Sequence, residues 1–310
     1  MTKATVIIVS YNQGRYLSAA VDSVLGQDFD GCEIILVDDG STDGSIEIIR
    51  GLAARHPGKI EFHHHPGHQN LGIRSTYALG ISRARSPYVA FLEADDHWEK
   101  NYLGPKVALL DRYPEAGVAF SRYKIASRRL YGCDMALRQR ILGLSVPRNV
   151  PFDNLSHLMK RNNVATFSAF VARRSLLDEI SIDLPSGVLY FDWWILFQLA
   201  LRSKFVLDGS SFVHWRQHPE STLGSQKLSQ HKSMLCGFMQ AMYEEIGRQR
   251  GRISREARDS YVKYRSVLPE FLSFYQHPGA RRFLGFFRLS PVWALDSLAS
   301  CCVNHWKYPR

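Results

Sequence analysis

An α/β fold with a mostly parallel central sheet flanked by helices is the class this sequence predicts, and three observations predict it. Short apolar runs rich in β-branched residues alternate with stretches of helical spacing from Ala4 to Leu92, as in βαβ units. Two of those runs stop abruptly in acidic clusters, Asp38-Asp39 and Glu93-Ala94-Asp95-Asp96. In a parallel sheet both clusters lie on the carboxyl edge, where open α/β sheets bind their ligands. Finally, 310 residues with 45% apolar content can bury one large core, or a main domain with an appendage.

The elements follow in order. Ala4 to Val9 is a buried strand ending in Ser10-Tyr11-Asn12, and Leu17, Val21, Val24 and Leu25 give Arg15 to Leu25 helical spacing. Glu33 to Val37 is the second strand. Ser41 or Thr42 is placed to cap a helix from Asp43 to Arg55, whose apolar stripe is Ile46, Ile49 and Leu52. Ile60 to His65 reads as a third strand, Asn70-Leu71-Gly72 opens a helix to about Ala84, and Tyr88 to Leu92 is the fourth strand. A helix from Tyr102 to Tyr113 and a strand from Gly117 to Ser121 come next. Lys124 to Asn163 is basic, interrupted by Pro147 and Pro151, and reads as loops with short helices. Thr166 to Ala172 is a strand, Leu189 to Leu201 an apolar helix carrying Asp192, and Phe205–Leu207 and Phe212–Trp215 two short strands. From Ser229 onward the pattern is helical.

Composition narrows the function classes. From Ser225 to Arg310, 14 Lys/Arg stand against 6 Asp/Glu, a net +8 of the chain's +10. The basic character belongs to that helical region, which suits a membrane surface, an acidic partner, self-association or a solvated face. Basic residues are not interleaved with aromatics along a strand, so no nucleic-acid partner is expected. The five cysteines form no CxxC pair, which points to reduced thiols and a cytoplasmic setting, peripheral to the inner face of a membrane if the basic helices bind one. No signal peptide is visible before the first strand, and no 18-residue uncharged apolar run predicts a spanning helix.

The chemistry concentrates at Phe91-Leu92-Glu93-Ala94-Asp95-Asp96-His97-Trp98. Three carboxylates within four residues at a strand end suit a hard divalent cation such as Mg²⁺ or Mn²⁺; an acidic turn is the simpler alternative. Asp192 stands among Tyr190, Phe191, Trp193 and Trp194. Such surroundings raise a carboxyl's pKa towards that of a general base, although an acid in a first helical turn is also favoured by the helix dipole. Asp39 reads as a ligand-edge acid or a helix cap. His218 reads as a metal ligand or a structural histidine. His63, His64, His65 and His68 do not read as a metal site, because adjacent strand residues alternate faces; a solvated strand and loop is expected.

The ordered set Val9-Ser10-Tyr11-Asn12, Asp38-Asp39-Gly40-Ser41-Thr42-Asp43, Asn70-Leu71-Gly72, Glu93-Ala94-Asp95-Asp96, Asp192-Trp193 and Trp215-Arg216-Gln217-His218 resembles the inverting glycosyltransferases of family 2, whose fold is called GT-A. The resemblance covers residues 4 to 222. It implies a GT-A-like domain over 1–224, with a Rossmann-like nucleotide-sugar-binding half (1–121) and an acceptor and catalytic-base half (122–224), followed by a basic helical region (225–310). It implies that Ser10, Tyr11, Asn12 and Asp39, with Asn70 and Gly72, line the pocket of a nucleotide-sugar donor, a UDP-sugar in the first instance, and that Asp38 supports it. Glu93-Ala94-Asp95 stands where the family has Asp-x-Asp: Asp95 would hold the metal, and Glu93 would face ribose or a metal-bound water. Arg216 would meet the donor, His218 the metal or diphosphate, and Asp192 would be the base. The implied acceptor is a saccharide or lipid-linked saccharide.

Four departures qualify the match. Glu93 replaces an Asp, lengthening the arm by a methylene. Tyr77-Ala78 occupy the places of the family's Arg-Asn. Phe191 stands where an acid precedes the base, and Trp194 also replaces an acid. These departures would also suit a nucleotide-sugar-binding protein without transfer activity.

Overall fold

The computed structural model describes residues 2–125, 146–159, 162–164, 166–184, 190–216, 218, 228–249 and 251–276. The runs Arg128-Arg129 and Arg138–Arg140, which read in sequence as solvated or as contacts to an anionic acceptor or lipid phosphate, lie outside them, as does Phe283–Val303, which reads as packing on the main domain or a second subunit or as lying in a membrane interface.

Among the described residues eight strands form one sheet, in the order β3-β2-β1-β4-β7-β6-β8-β5, the last being the two residues His97–Trp98. β1 (Ala4–Ser10), β2 (Cys32–Asp38), β3 (Ile60–His64) and β4 (Tyr88–Glu93) are mutually parallel. The helices that return the chain between them are α1 (Gly14–Leu25), α2 (Ser45–Arg55) and α3 (Gly72–Arg83). From β1 the chain winds outward to β2 and β3, then comes back to place β4 on the other flank of β1. That reversal is a topological switch point, and it opens a crevice at the carboxyl ends of β1 and β4. Ser10 lies opposite Asp38 and Val9 opposite Glu93, so all the acidic strand ends are flush along one edge.

Beyond β4 the sheet becomes mixed. β7 (Phe170–Arg173) runs antiparallel to β4 and to β6 (Ala116–Ile125), which follows α4 (Leu103–Arg112). β8 (Lys204–Trp215) is parallel to β6. The sequence predicts two short strands here, but β8 is continuous: a bulge after Asp208 absorbs Gly209, Ser210 and Ser211. Asp208 makes the bulge possible by accepting the Ser210 backbone N–H (2.8 Å) and the Ser210 hydroxyl (2.6 Å). Buried Lys106, on α4, donates to Asp208 (3.1 Å), to Ser211 (2.7 Å) and to the Tyr102 carbonyl (3.0 Å). Removing one partner of a buried ion pair leaves the other charge uncompensated. Lys106→Met is therefore expected to lower unfolding free energy by about 3–5 kcal/mol, measured by chemical denaturation; a loss below 1 kcal/mol ~ would show that Asp208 does not depend on it.

The predicted strand from Thr166 to Ala172 starts late. Phe167–Ala169 form a 3-10 turn capped by Thr166, and only Phe170 onward joins the sheet. The turn frees the Ser168 carbonyl to accept from Trp98 Nε1 (2.8 Å) and Tyr102 Oη (2.8 Å), which a strand would have committed to the ladder. Two short helices precede the one that carries Asp192: α5 (Leu155–Leu158) and α6 (Arg174–Glu179), the latter absent from the sequence reading. α7 (Phe191–Ala200) is buried along almost its whole length. The C-terminal region supplies α8 (Leu228–Arg248) and α9 (Arg255–Gln276). Phe238 of α8 packs on Trp193 of α7 (4.5 Å between rings), and Tyr243 donates to the Met159 carbonyl (3.2 Å). These contacts join α8 to the main domain through an apolar face that includes Phe238, Met239, Met242 and Ile246, all fully buried. Among the described residues no helix is long and apolar enough to cross a membrane.

Candidate functional site

At the ends of β1 and β2 the backbone is shaped by short polar side chains. Asn12 sits in the left-handed region (φ 54°), its N–H donating to Ser41 Oγ (2.9 Å) and its carbonyl side-chain oxygen accepting from Thr42 N (2.8 Å). Ser41 is not a helix cap as predicted; its amide and hydroxyl both donate to fully buried Asp38 (2.8 and 2.6 Å). Asp43 takes over the capping, accepting from Ser45 N (3.1 Å) at α2 and from Gly14 N (3.1 Å) at α1. Burial would raise its pKa, but the Ser45 and Gly14 hydrogen bonds outweigh this and hold it below the usual carboxylate value.

Asp39 accepts from Leu71 N (2.8 Å) and Gly72 N (3.1 Å), so the acid read as either cap or ligand holds the first amides of α3 just beyond the carboxyl end of β2. His65 Nε2 stands 3.6 Å from Asp39 and 3.1 Å from Thr76 Oγ1. This corrects the solvated reading of the histidine run for His65, which is buried; His63 and His64 remain near the surface, with His64 stacked on His68 (3.7 Å). Gly40 (φ +77°) passes so close to the 68–70 segment that a Cβ would sit 2.7 Å from Asn70 N and from the His68 carbonyl. Gly40→Ala is expected to cost about 2–4 kcal/mol through positive φ and backbone collision and to displace Asp39. Thermal denaturation and nucleotide titration check this; wild-type values for both would contradict it.

The acidic end of β4 is assembled by an element invisible in the sequence, the two-residue strand β5 (His97–Trp98). β5 pairs with β8, placing His97 opposite His214. That pairing brings Asp96 and Asp95 to the end of β8, where Asp96 Oδ1 accepts from Arg216 N (2.9 Å) and Asp95 Oδ2 faces His218 Nε2 (3.0 Å). Tyr16, missed by sequence reasoning, packs beside them: the Arg15 and Arg216 guanidiniums lie 4.6 and 4.4 Å from its ring centre, and the His218 ring packs at 5.2 Å. Asp96 Oδ2, Ser10 Oγ and Tyr77 Oη are buried with no hydrogen-bond partner among the described residues.

The carboxyls are electrostatically crowded. Burial first, and then the Asp95 charge, push Glu93 to about 8, against the opposing hydrogen bond from Thr166 Oγ1 (2.7 Å). Burial and the Asp95 and Glu93 charges also raise Asp96 well above the ordinary value. Below them Tyr77 stacks on Phe167 (4.3 Å) and Phe191 (5.7 Å), with Phe167 and Phe191 nearly parallel at 5.3 Å. Here the departures at Tyr77 and Phe191 compensate each other, replacing polar groups with one aromatic stack that joins α3 to the start of α7.

Asp192 lies in the first turn of α7, partly covered, and accepts from Asn162 Nδ2 (3.0 Å). Burial raises it to about 6, while the amides of Trp193 and Asp192 itself and the Asn162 side chain act in the opposite direction. Among the described residues no group of three or more His, Cys, Asp or Glu side chains forms a ready metal cage.

The family model Glycosyl transferase family 2 matches residues 5–180. The cholesterol galactosyltransferase of Borreliella burgdorferi is 35% identical over 285 residues, covering 88% of this chain and 75% of that protein. An uncharacterized protein of Mycobacterium tuberculosis is 29% identical over 216 residues, 69% of this chain but only 58% of its own length. Among solved structures, S. aureus TarS 1-349 in complex with UDP-GlcNAc superposes with a TM-score of 0.63 at 16% identity, covering 94% of this chain and 78% of that one. Mannosyltransferase PcManGT from Pyrobaculum calidifontis, in complex with GDP-Man and Mn²⁺, gives 0.63 at 15% identity, covering 99% and 81%. The switch-point crevice with its acidic β4 end thus has the GT-A fold of glycosyltransferases, and the chain belongs to glycosyl transferase family 2.

Proposed function

We propose that the protein transfers a hexose from a nucleotide-diphosphate sugar, a UDP-sugar in the first instance, to the hydroxyl of a saccharide or lipid-linked saccharide, with inversion and with a divalent cation. The observation that carries this reading is the division of labour between carboxyls. Asp95 meets His218 at the switch point, whereas Asp192, held near 6, comes from a separate helix.

The residues fit a metal. The crowded carboxyls repel one another and an Asp96 oxygen has no partner among the described residues, a repulsion that a cation would offset, and a two-residue protein site completed by donor phosphates is ordinary for Mg²⁺ or Mn²⁺. Asp95 and His218 would hold the ion, which when bound would offset charge developing on the leaving diphosphate. Ser10, Tyr11, Asn12 and Asp39, with the Asn70–Gly72 turn, line the donor side, while Glu93 and Ala94 floor it and Arg216 faces the diphosphate. Residues 1–121 act as the donor half and 122–224 as the acceptor half of one continuous sheet, β6 running across 121–122. Asp192 removes the proton of the acceptor hydroxyl as that oxygen attacks the anomeric carbon on the face opposite the departing diphosphate. The UDP-GlcNAc and GDP-Man–Mn²⁺ complexes of the structural neighbours support a nucleotide-sugar donor and a divalent ion, and the name of the Borreliella relative supports a galactosyl-type donor with a lipid acceptor. Cytoplasmic residence, with the basic C-terminal region peripheral to a membrane or paired with a second copy, belongs to the same proposal.

The test is release of nucleoside diphosphate from UDP-, GDP- and dTDP-hexoses with Mn²⁺ or Mg²⁺ and a saccharide acceptor panel, the product anomer being assigned by NMR. One donor class turned over with inverted configuration is expected. Retained configuration would overturn the mechanism. Tight donor binding without turnover would favour the inactive binding protein, for which the Tyr77–Phe191 stack is the relevant observation.

A further inference from the structure

We infer that Asn162 is the positioning residue of Asp192: its side-chain amide fixes the carboxylate's orientation and favours its ionised form for proton abstraction. The inference rests on Asp192 being the base, as proposed above.

The amide is held at both ends. Nδ2 donates to Asp192 Oδ2 (3.0 Å) and Oδ1 accepts from Val164 N (3.1 Å). A flipped amide would turn an acceptor towards a carboxylate and a donor towards an N–H, so its orientation is dictated by the network. The segment itself is anchored. Asn163 and Asn154 exchange two amide hydrogen bonds (2.7 and 3.1 Å), Asn154 is fully buried at the start of α5, and Val164 is fully buried. Asn162 therefore presents a fixed dipole rather than a mobile side chain.

The charges around Asp192 show why a neutral donor is used. Glu93 at the end of β4, Tyr77 on α3 and Tyr190 just before α7 face it, and each is an acid or a phenol. Among the described residues no cation contributes to its titration; the groups that favour the carboxylate are two backbone amides and Asn162. A neighbouring Lys or Arg would depress the pKa by one to three units, ~, and weaken the base, whereas an amide offsets burial only in part and leaves the group close to the operating pH.

Asn162→Ala and Asn162→Asp separate this role from a purely structural one. Asp is isosteric and its carboxylate still accepts from Val164 N, so a shape role predicts a nearly wild-type enzyme for Asn162→Asp. The donor role predicts the reverse. The acid limb of kcat should move up by about one pH unit in Asn162→Ala and further in Asn162→Asp, where a like charge replaces the donor. The KM for the donor should stay unchanged. A second readout needs no turnover. A carboxyl raised in the folded state is more protonated there than in the unfolded chain, so its contribution to stability falls as pH rises from its unfolded value of about 4 to its folded value. The stability difference between wild type and Asp192→Asn should fall up to about pH 6; between Asn162→Ala and Asn162→Ala/Asp192→Asn the fall should continue higher. An unmoved acid limb and superimposable stability differences would overturn the role of Asn162. If the stability differences shift as expected but no donor is turned over, the transferase reading fails instead.

Discussion

Asp192→Asn is expected to lower kcat by about 10²–10⁴-fold while leaving nucleotide binding intact. The substitution keeps the shape of the side chain and removes the carboxylate proposed to take the acceptor proton. With a folded-state pKa of about 6, wild-type Asp192 is largely ionised above that pH, so kcat should rise through about pH 6 and then level. Asn162 and Trp193 still have a partial acceptor in the mutant amide, so folding should be preserved. Turnover against pH, with UDP affinity measured by calorimetry as the control, checks both halves. A mutant with near wild-type kcat would mean that another group removes the proton.

Asp95→Asn should have the second large effect, on the metal. The charge of Asp95 is what pushes up Glu93 after burial, and its Oδ2 faces His218. Losing one of the two proposed protein ligands should raise the Mn²⁺ concentration for half-maximal activity by about 100-fold or more. Asp96→Asn should differ in kind. The Asn side-chain oxygen can still accept from Arg216 N, so the end of β8 should hold, and the metal requirement should change less than in Asp95→Asn. Equal metal dependence in Asp95→Asn and wild type would remove Asp95 from the metal site.

The N-terminal parallel half of the sheet was legible because local rules coincide there. The β-branched runs, the acids ending β2 and β4, and the alternation with amphipathic helices all point to a parallel sheet, and the register leaves Asp38, Ser10 and Glu93 flush. Asp192 was legible as an acid isolated among aromatics, and the site gives it the raised pKa that such surroundings imply. What stayed hidden depends on long-range pairing. β5 is two residues long and carries no periodicity, yet its pairing with β8 is what carries Asp95 and Asp96 to His218 and Arg216. The bulge at Asp208 looks like a turn in sequence because Gly209-Ser210 is turn chemistry; only the Lys106 and Ser210 partners show that the strand continues. His65 was hidden in a run whose alternation was read correctly, since the inward residue cannot be chosen without knowing where Asp39 and Thr76 lie. Asn162 falls in a basic, irregular stretch, and its one signal was the paired Asn162-Asn163 amides, which favour local backbone hydrogen bonds.

The central claim, a metal-dependent nucleotide-sugar site at the ends of β1 and β4, is tested most directly by calorimetric titration of the wild-type chain with UDP and GDP, each with and without Mn²⁺. The account predicts that one of the two binds, that Mn²⁺ tightens the binding at least tenfold, about 1.4 kcal/mol, and that the tightening is lost when Asp95 is Asn. Absence of binding by either nucleotide with the ion present, or identical affinities with and without it, would contradict the account.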